Sequence, residues 1–384
     1  PSTESQITRG YEGAPGDVWL NYDSPTVQSL TYDPGDPGFL VLLHEVFHSL
    51  GLKHPHDDGG TGRPTFQDFD ASEFDRQANT VMSYDLSHNG GDGVLQGSLP
   101  IAPTTVDLVN LQYLYGEAAI NLGDNIHKID SVGNYYNTIF DPAGNDTLDL
   151  SEFPESVFCY MGDSFMNNGT NDYRFGSIYT IAGRIKLVST DDVVYPDFAV
   201  YLYGGFENGK GSPFKDHFQA NDLNNRLEGG GGNDWLDGYT GLDTAIFTGN
   251  REDYSITINR LGKTGDTGIE EDYLDNSITD NIADRDGTDK LTAIERLEFA
   301  DGTLVLDVEG GETAGQAYRL YQAAFARTPD MPGVAYHMND MESNGLSITQ
   351  IAGNFIASPE FKSQYGENPT EEDYIKYAWL MKGQ

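Results

Sequence analysis

The sequence predicts a multidomain α+β protein, with a short parallel β-roll and a further β module in its middle and a small all-α domain at its end. Three observations support this fold class. Apolar segments near residues 45 and 110 have helical periodicity. Glycine and aspartate recur every nine residues between 229 and 243, and apolar and polar residues alternate after residue 254. The periodicity becomes helical again after residue 311, with candidate helices at 317–327, 347–357 and 371–381.

Charge and cysteine content exclude several classes of partner. The 384 residues include 61 Asp plus Glu and 22 Lys plus Arg, a formal net charge of −39, and a chain of this length holds about two to four domains. The carboxylates would repel nucleic-acid phosphates and anionic membrane surfaces, so neither partner is expected. They are good ligands for calcium. Cys159 is the single cysteine, so no intrachain disulfide can form, and no apolar run could span a membrane.

The first predicted helix covers residues 39–52. His44 and His48 are four residues apart and therefore share one face of it. Gly51 offers a C-terminal break, because glycine readily adopts a positive φ. A second helix is predicted over residues 104–115.

The first helix contains an HExxH motif. Two imidazoles one turn apart can bind one zinc ion, and the glutamate beside the first can take a proton from water; here these are His44, His48 and Glu45. Five such residues also arise by chance on amphipathic helices. The motif extends to HExxHxxGxxH, in which Gly51 reverses the chain and brings back His54. The extended motif predicts a zinc site.

A methionine follows downstream in the segment NTVMSY, residues 79–84. An isolated methionine is usually core filler. Zinc peptidases with the extended motif carry a methionine-containing turn beneath the metal. Met82 is therefore interpreted as the apolar floor under the three histidines.

Three segments together resemble the metzincins, and within them the serralysins, which are secreted bacterial endopeptidases with a C-terminal calcium roll of RTX repeats. The segments, in order, are HEVFHSLGLKHP at 44–55, PTFQDFDASEFDRQANTVMSY at 64–84 and APTTVDLVNLQYLYG at 102–116. The resemblance implies that residues 1–120 are the C-terminal part of a metzincin catalytic domain. It also implies hydrolysis of internal bonds in protein or peptide substrates.

The resemblance further implies a role for each residue of the motif. One catalytic zinc ion would be held by His44, His48 and His54. Glu45 would be the general base. Tyr84 would bind zinc at rest and then stabilise the oxyanion, a role that suits a phenol donor beside a Lewis acid.

Two features depart from the family pattern. Only 43 residues precede His44, so most of the N-terminal subdomain is expected to be missing; a fragment, a processed chain and a reduced sheet are the open explanations. His56, Asp57 and Asp58 are unusual after the His-Pro step. They are extra polar ligands or, as the simpler alternative, part of a solvated loop.

The middle of the chain contains nonapeptides of the form GGxGxDxUx, in which stacked turns can surround calcium with carbonyls and aspartates. Residues 229–237 fit fully, residues 238–243 fit except at the second glycine, and residues 220–228 are a degraded copy. One calcium ion is predicted between the two fitting turns, and a metal-free glycine-rich loop is the alternative. The acidic turn at 284–289 is of a common kind, and no site is predicted there.

Resemblance to the first roll site of the serralysins adds Asp124 and the turn at 141–146. The predicted calcium-site residues are Asp124, Asp141, Gly144, Asp146, Gly229, Gly231, Asp234, Gly238, Thr240 and Asp243.

The predicted domains are 1–120 for the zinc-protease part, 121–245 for the roll, 246–310 for the β module and 311–384 for the helical domain. An aromatic-rich β insertion around 151–219 either binds substrate or carbohydrate through exposed aromatic side chains or, as the simpler alternative, buries them as packing residues. The tail resembles a helical domain of unknown function found at the ends of bacterial secreted and surface proteins. A surface or matrix partner is the hypothesis for it.

These features lead to two hypotheses. The first is a secreted, extracellular bacterial zinc endopeptidase that is stabilised by calcium and exported by a type I route. The alternative is a non-catalytic, calcium-dependent surface or adhesion protein that retains a vestigial zinc site. The short segment ahead of the motif favours the alternative, whereas intact Glu45 and Tyr84 favour the enzyme.

Overall fold

The computed structural model describes residues 18, 20, 23–58, 60, 62–69, 71–77, 79–85, 99–131, 135–167, 172–180, 199–258, 276–308, 311–325 and 327–370. The candidate helix at 371–381 lies outside them. The chain divides into two compact units, Pro1–Ile294 with Phe299–Asp301, and Glu295–Glu298 with Gly302–Gln384. None of the described helices combines the length and apolar character needed to cross a membrane. Helices, parallel strands and antiparallel strands all occur, which makes the fold α+β.

The helices are α1 (Pro25–Ser29), α2 (Pro37–Ser49), α3 (Thr105–Tyr115), α4 (Thr313–Phe325), α5 (Met331–Glu342), α6 (Ile348–Ala357) and α7 (Pro359–Tyr365). The strands are β1 (Leu99–Pro100), β2 (Ile126–Lys128), β3 (Tyr135–Asp141), β4 (Thr147–Asp149), β5 (Val157–Asn167), β6 (Asp172–Thr180), β7 (Ala199–Gly204), β8 (Asn208–Lys210), β9 (His217–Gln219), β10 (Arg226–Glu228), β11 (Trp235–Asp237), β12 (Thr244–Ile246), β13 (Tyr254–Thr257), β14 (Asn276–Asp280), β15 (Thr288–Thr292), β16 (Arg296–Phe299) and β17 (Gly302–Val305).

Helix α2, predicted over 39–52, begins with proline at its first position and ends at Ser49. Proline suits that position because its φ is already helical and its missing N–H would have no partner there. Gly51 has a φ of 96°, and its N–H donates to the His48 carbonyl at 3.0 Å. This left-handed residue ends the helix and turns the chain back towards it.

A small apolar core supports α2. Leu40 and Phe47 from the helix pack with Val81 and Met82 from the turn that follows residue 79, and all four are buried. Their packing joins the histidine-bearing helix to the methionine-containing turn.

The roll is built from two sheets whose strands alternate along the chain. The ten-stranded sheet has the order β1-β3-β7-β6-β5-β9-β11-β15-β14-β13, and strands of the second sheet follow the order β12-β10-β8-β4-β2. Strand β10 pairs in parallel with β8 and β12, whereas β11 pairs in parallel with β9 and β15. Two successive strands with their turns therefore make one coil of the roll.

The regular coils of the roll cover more of the chain than the two repeats that fit the nonapeptide pattern. Strands β8 to β12 begin nine residues apart, at Asn208, His217, Arg226, Trp235 and Thr244. The central residues of four of these strands are fully buried between the sheets, namely Phe218, Leu227, Leu236 and Ala245. Burial of one apolar side chain per strand keeps the coil where the glycine and aspartate pattern has decayed.

Two insertions enlarge the ten-stranded sheet. Strands β5, β6 and β7 pair antiparallel in sequence and lie between β3 and β9. Strands β13 and β14 form an antiparallel pair beside β15. The region predicted as an insertion around 151–219 thus adds strands to the roll's own sheet.

The second unit contains helices α4 to α7 around an apolar core that includes Tyr321, Phe325, Ile351 and Phe355. Arg296 is buried in this unit and donates hydrogen bonds to Asp307 and to Glu342 Oε1, the latter at 2.6 Å. Pairing with two carboxylates compensates for the loss of solvent around the guanidinium.

Candidate metal centre

Three histidine side chains converge beside α2. The Nε2 atoms of His44 and His48 lie 3.0 and 2.9 Å from His54 Nε2. His44 and His54 are buried and His48 is half-buried. Their possible ligand atoms all lie within 4.8 Å of one another, which makes them a group able to hold one metal ion. The helix supplies the first two rings, and the reversal at Gly51 supplies the third.

Backbone carbonyls set the tautomers of the two helical rings. His44 Nδ1 lies 2.7 Å from the Val81 carbonyl, and His48 Nδ1 lies 2.9 Å from the Leu52 carbonyl. A carbonyl only accepts, so each Nδ1 donates and each Nε2 carries a lone pair. The lone pairs of His44 Nε2 and His48 Nε2 are both directed at the His54 ring. A shared cation can satisfy both lone pairs, whereas one proton can satisfy only one of them. The donor set fits zinc, which favours imidazole nitrogen and needs three protein ligands at a catalytic site.

The turn that contains Met82 is fixed by Asp107 of α3. This carboxylate is 1% exposed and accepts from the Thr80 hydroxyl at 2.5 Å and from the Val81 N–H at 3.0 Å. It also accepts from the N–H and hydroxyl of Thr104 at 3.0 and 2.8 Å. Burial raises the pKa of Asp107, while the four donated hydrogen bonds act in the opposite direction. Asp107 thereby joins the start of α3 to the methionine-containing turn, whose Val81 carbonyl contacts His44.

Glu45 follows His44 on the helix and is half-buried. Met82 is 2% exposed and packs with Leu40 and Phe47 of the histidine-bearing helix. Tyr84 is half exposed, and its ring centroid lies 4.5 Å from that of His54 and 5.5 Å from that of His44. The structure thus brings Tyr84 to the histidines from the open side of the group.

His56 is exposed, and its ring lies against that of His54. Its ring is nearly parallel to that of His54, with centroids 5.3 Å apart and planes at 6°. Its Nδ1 lies 3.5 Å from Asp75 Oδ2. Three His, Cys, Asp or Glu ligand atoms converge in the described residues at His44, His48 and His54, a group that does not include His56.

The first predicted calcium residues come together where the chain enters the roll. Backbone N–H groups donate to Asp124 Oδ1 at 3.0 Å and to Asp146 Oδ1 at 2.9 Å, and His127 Nε2 lies 2.7 Å from Asp141 Oδ2. Within the described residues, Asp141 Oδ1 and Asp146 Oδ2 are buried without a hydrogen-bond partner. A Cβ at Gly144 would lie 2.5 Å from the carbonyl oxygen of residue 123, so the backbone approaches closely here. Orphaned carboxylate oxygens near carbonyls suit a hard cation.

The two fitting repeats lie on opposite sides of the roll. Asp234 precedes β11 in the ten-stranded sheet, whereas Asp243 precedes β12 in the other sheet. Nine residues make half a coil, so consecutive turns face away from each other. The structure therefore separates the two turns that were expected to share one calcium ion.

Glycines of these repeats make room for the aspartates of their own turns. A Cβ at Gly229 would lie 2.4 Å from Asp234 Oδ2, and one at Gly238 would lie 2.7 Å from Asp243 Oδ2. A Cβ at Gly231 would lie 3.3 Å from two backbone carbonyl oxygens of neighbouring turns. Thr240 is exposed at the tip of the second turn.

Asp234 instead stacks between Asp216 and Asp289. Its Oδ1 accepts from the Asp216 N–H at 2.8 Å, and its own N–H donates to Asp289 Oδ1 at 2.9 Å. Its Oδ2 is buried with no hydrogen-bond partner in the described part of the chain. Burial raises the pKa of Asp216 to about 6, of Asp289 to about 7 and of Asp234 to about 9. Asp289 completes this stack from the acidic turn at 284–289, where no site was predicted.

The degraded copy at 220–228 has a different way of holding its turn. Asn221 and Asn225 are fully buried, and the Nδ2 of each donates to the Phe206 carbonyl at 3.0 Å. Asn225 Oδ1 accepts from the Asn221 N–H at 3.3 Å. The amide groups satisfy a carbonyl of the neighbouring turn without a cation.

Two functional features were missed from the sequence although each leaves a signal there. Asp107 stands three residues after Thr104, the spacing of a helix capping box. Asn225 stands nine residues from Asp216 and nine from Asp234, which places it in the repeat. Their more distant partners, Val81 for Asp107 and Phe206 for Asn225, lie 26 and 19 residues away and leave no local pattern.

Comparison with known proteins gives a consistent group of relatives, although no family model matches the chain. Serralysin of Proteus mirabilis is 32% identical over 226 residues, which cover 55% of this chain and 41% of the relative. Serralysin C of Dickeya chrysanthemi is 28% identical over 173 residues, which cover 41% of this chain and 35% of the relative. Metalloprotease AprA of Pseudomonas entomophila (strain L48) is 30% identical over 158 residues, covering 37% and 32%.

The chain spans about two fifths of the length of the first of these relatives and about a third of the others. Identities of 28 to 32% over more than 150 residues with three proteins of one kind agree with the histidine group. Over the part that these relatives match, the chain is similar to serralysins.

Proposed function

We propose that this chain is the catalytic and calcium-binding part of a zinc endopeptidase that cuts internal peptide bonds. The observation that carries the proposal is the convergence of three Nε2 atoms, two of them in rings whose Nδ1 atoms are held by backbone carbonyls. A glutamate beside the first histidine and a tyrosine on the open side complete the set. Relatives named serralysin and metalloprotease support the same reading.

In this proposal His44, His48 and His54 hold the zinc ion. Zinc at such a site is a Lewis acid that polarises a carbonyl group and makes water more acidic. Glu45 accepts the proton of the water whose oxygen attacks the peptide carbonyl carbon, and it passes that proton to the amine nitrogen as the C–N bond breaks. Tyr84 donates a hydrogen bond to the carbonyl oxygen as it gains negative charge.

Calcium stabilises the roll in this proposal. The turn containing Asp141, Gly144 and Asp146 takes one ion together with Asp124, and the buried orphaned oxygens there support the assignment. The turns containing Gly229, Gly231 and Asp234, and Gly238, Thr240 and Asp243, take ions separately. Three carboxylates do not converge among the described residues as the histidines do, so backbone carbonyls would supply most of the calcium ligands.

Location and partners follow from the same proposal. The protein acts outside the cell, where calcium is plentiful, and leaves by the type I route that the family resemblance implies. Proteins or peptides are its substrates. The helical part of the second unit attaches the enzyme to a surface or matrix.

The test is cleavage of an internally quenched peptide by the wild type, by Glu45→Gln and by Glu117→Gln, with the zinc content of each measured. Glu117 is exposed beyond the end of α3 and serves as the matched control. Loss of the proton acceptor should lower kcat by at least about 100-fold, with zinc content unchanged. The control should cleave like the wild type.

Equal turnover by the wild type and Glu45→Gln would rule out the proposed enzyme. Zinc bound in all three proteins without any turnover would favour the non-catalytic surface protein.

A further inference from the structure

His56 forms part of a compact group of rings at the candidate zinc centre. Its centroid lies 5.3 Å from that of His54 and 5.1 Å from that of Tyr84, while His54 and Tyr84 are 4.5 Å apart. Each of the three rings therefore contacts the other two. His56 is the member of this trio to which neither the motif nor the resemblance assigns a role.

Asp75 connects His56 to the turn that carries Tyr84. Its Oδ2 lies 3.5 Å from His56 Nδ1. Its Oδ1 accepts a hydrogen bond from the Ser83 hydroxyl at 2.6 Å. One carboxylate thus contacts the ring on one side of Tyr84 and the residue immediately before Tyr84 in the chain.

The segment around Tyr84 is held firmly on its buried side. Ser83 is fully buried, and its hydroxyl oxygen accepts from the Asp85 N–H at 3.0 Å. The Asp85 carbonyl accepts from the Gln77 N–H at 2.9 Å. The backbone on both sides of Tyr84 is therefore held by hydrogen bonds. Its side chain is half exposed and contacts His56 and the rings of His44 and His54.

We propose that His56 and Asp75 are positioning residues that hold Tyr84 beside the three histidines. Asp75 places the Tyr84 backbone through Ser83, and His56 limits where the phenol ring can move. Restricting the ring to one region of the site lowers the entropy lost when the phenol meets the substrate oxygen. The inference rests on the proposed function, because it gives Tyr84 a task that needs placement.

A double-mutant cycle tests whether His56 acts through Tyr84. Peptide cleavage is measured for the wild type, His56→Ala, Tyr84→Phe and the double variant, with zinc content checked in each. An aromatic contact of this kind should change kcat by about two- to tenfold, with little change in KM. His56→Ala should lower kcat no further in the Tyr84→Phe background, where the phenol hydroxyl is absent.

Asp75 is tested in the same assay with two substitutions. Asp75→Ala removes both contacts and should lower kcat at least as much as His56→Ala. Asp75→Asn keeps an acceptor for the Ser83 hydroxyl and should recover part of that loss. An equal loss from His56→Ala in the wild-type and Tyr84→Phe backgrounds overturns the proposal, as does no loss in either.

A spectroscopic measurement separates this inference from the peptidase proposal. Copper(II) replaces zinc in the purified chain, and absorption from charge transfer between the Tyr84 phenolate and copper is recorded. The band should be present in the wild type, absent in Tyr84→Phe, and shifted or weakened in His56→Ala and Asp75→Ala. If the band changes in the variants as expected but the wild type cleaves no peptide, the peptidase proposal alone is refuted. If the wild type cleaves peptide but neither His56→Ala nor Asp75→Ala alters the band, the positioning role alone is refuted.

Discussion

The nitrogen that each helical histidine leaves available for a metal is decided by the backbone carbonyl that contacts its other nitrogen. The HExxH spacing is enough to predict that His44 and His48 share a face. The Val81 carbonyl that orients His44 comes from 37 residues further along the chain. That partner could not be predicted from the motif, because it depends on how the methionine-containing turn packs under the helix.

Asp107 offers a stability test at the scale of one residue. Its carboxylate accepts four hydrogen bonds while being 1% exposed. Asp107→Ala should lower the free energy of unfolding by about 2–4 kcal/mol, because buried donors lose their acceptor. Urea unfolding followed by circular dichroism measures the change.

Asn110→Ala on the exposed side of the same helix is the control. Within the described part of the chain, the hydrogen bond that Asn110 donates goes to the Val106 carbonyl of its own helix, so the free energy should change by no more than about 0.5 kcal/mol. Equal unfolding midpoints for Asp107→Ala and Asn110→Ala would contradict the role given to Asp107.

At the level of elements, the glycine and aspartate pattern predicts some coils of the roll and misses others. The complete repeat at 229–237 was recognisable because glycine and aspartate stand at every required position. The coil beginning at β8 was not, since Gly209 takes the place of its central apolar residue. What continues the period there is strand pairing and burial, which a glycine-based pattern does not record.

The turn at 220–225 should not need calcium, because the Asn225 amide already donates to the Phe206 carbonyl. Asn225→Asp replaces that donor with a carboxylate facing a carbonyl oxygen. In a calcium chelator, the backbone amides of this turn should lose hydrogen-exchange protection in the variant but keep it in the wild type. Adding calcium should restore protection, because the variant then presents a cation ligand.

Asn224→Asp is the matched control. Asn224 is exposed and uses its Oδ1 as an acceptor for the Leu242 N–H, a role that aspartate keeps. Similar protection for the wild type and Asn225→Asp in chelator would show that the amides do not hold the turn.

The stacked carboxylates make the stability of the metal-free roll depend on pH. Burial raises the pKa of Asp216, Asp289 and Asp234 to about 6, 7 and 9, above an unfolded value of about 4. The native state then binds more protons than the unfolded state between these limits. Its stability should therefore fall as pH rises from about 5 to 8.

Calcium should remove much of this dependence, since a cation at Asp234 stabilises the charged form. Urea unfolding in chelator and in calcium at several pH values measures both slopes. A metal-free roll that gains stability between pH 5 and 8 would contradict the sign of these shifts.

At the scale of the whole molecule, the sequence predicted the succession of helices, roll and helical tail. It predicted less well how insertions join the roll. Strands β5 to β7 and β13 to β14 enter the ten-stranded sheet through antiparallel pairing. Apolar and polar residues alternate in these strands as in any strand, which does not show whether they form a separate subdomain or enlarge the sheet. That outcome depends on the sheet edges that distant strands supply.

All of the predicted zinc and calcium residues belong to the first unit. Chelation should therefore lower hydrogen-exchange protection in the roll and around α2. The amides of α4 to α7 should keep theirs, because their core is apolar and Arg296 is paired with carboxylates. Loss of protection in those four helices on chelation would contradict this division of metal dependence.

Three histidine nitrogens should hold one zinc ion. X-ray absorption at the zinc edge tests it most directly, on the purified chain loaded with one equivalent of zinc. We expect three nitrogen ligands of imidazole type at about 2.0–2.1 Å, and loss of one of them in His48→Ala. A zinc shell made of oxygen alone, or one that is the same in the wild type and His48→Ala, would contradict it.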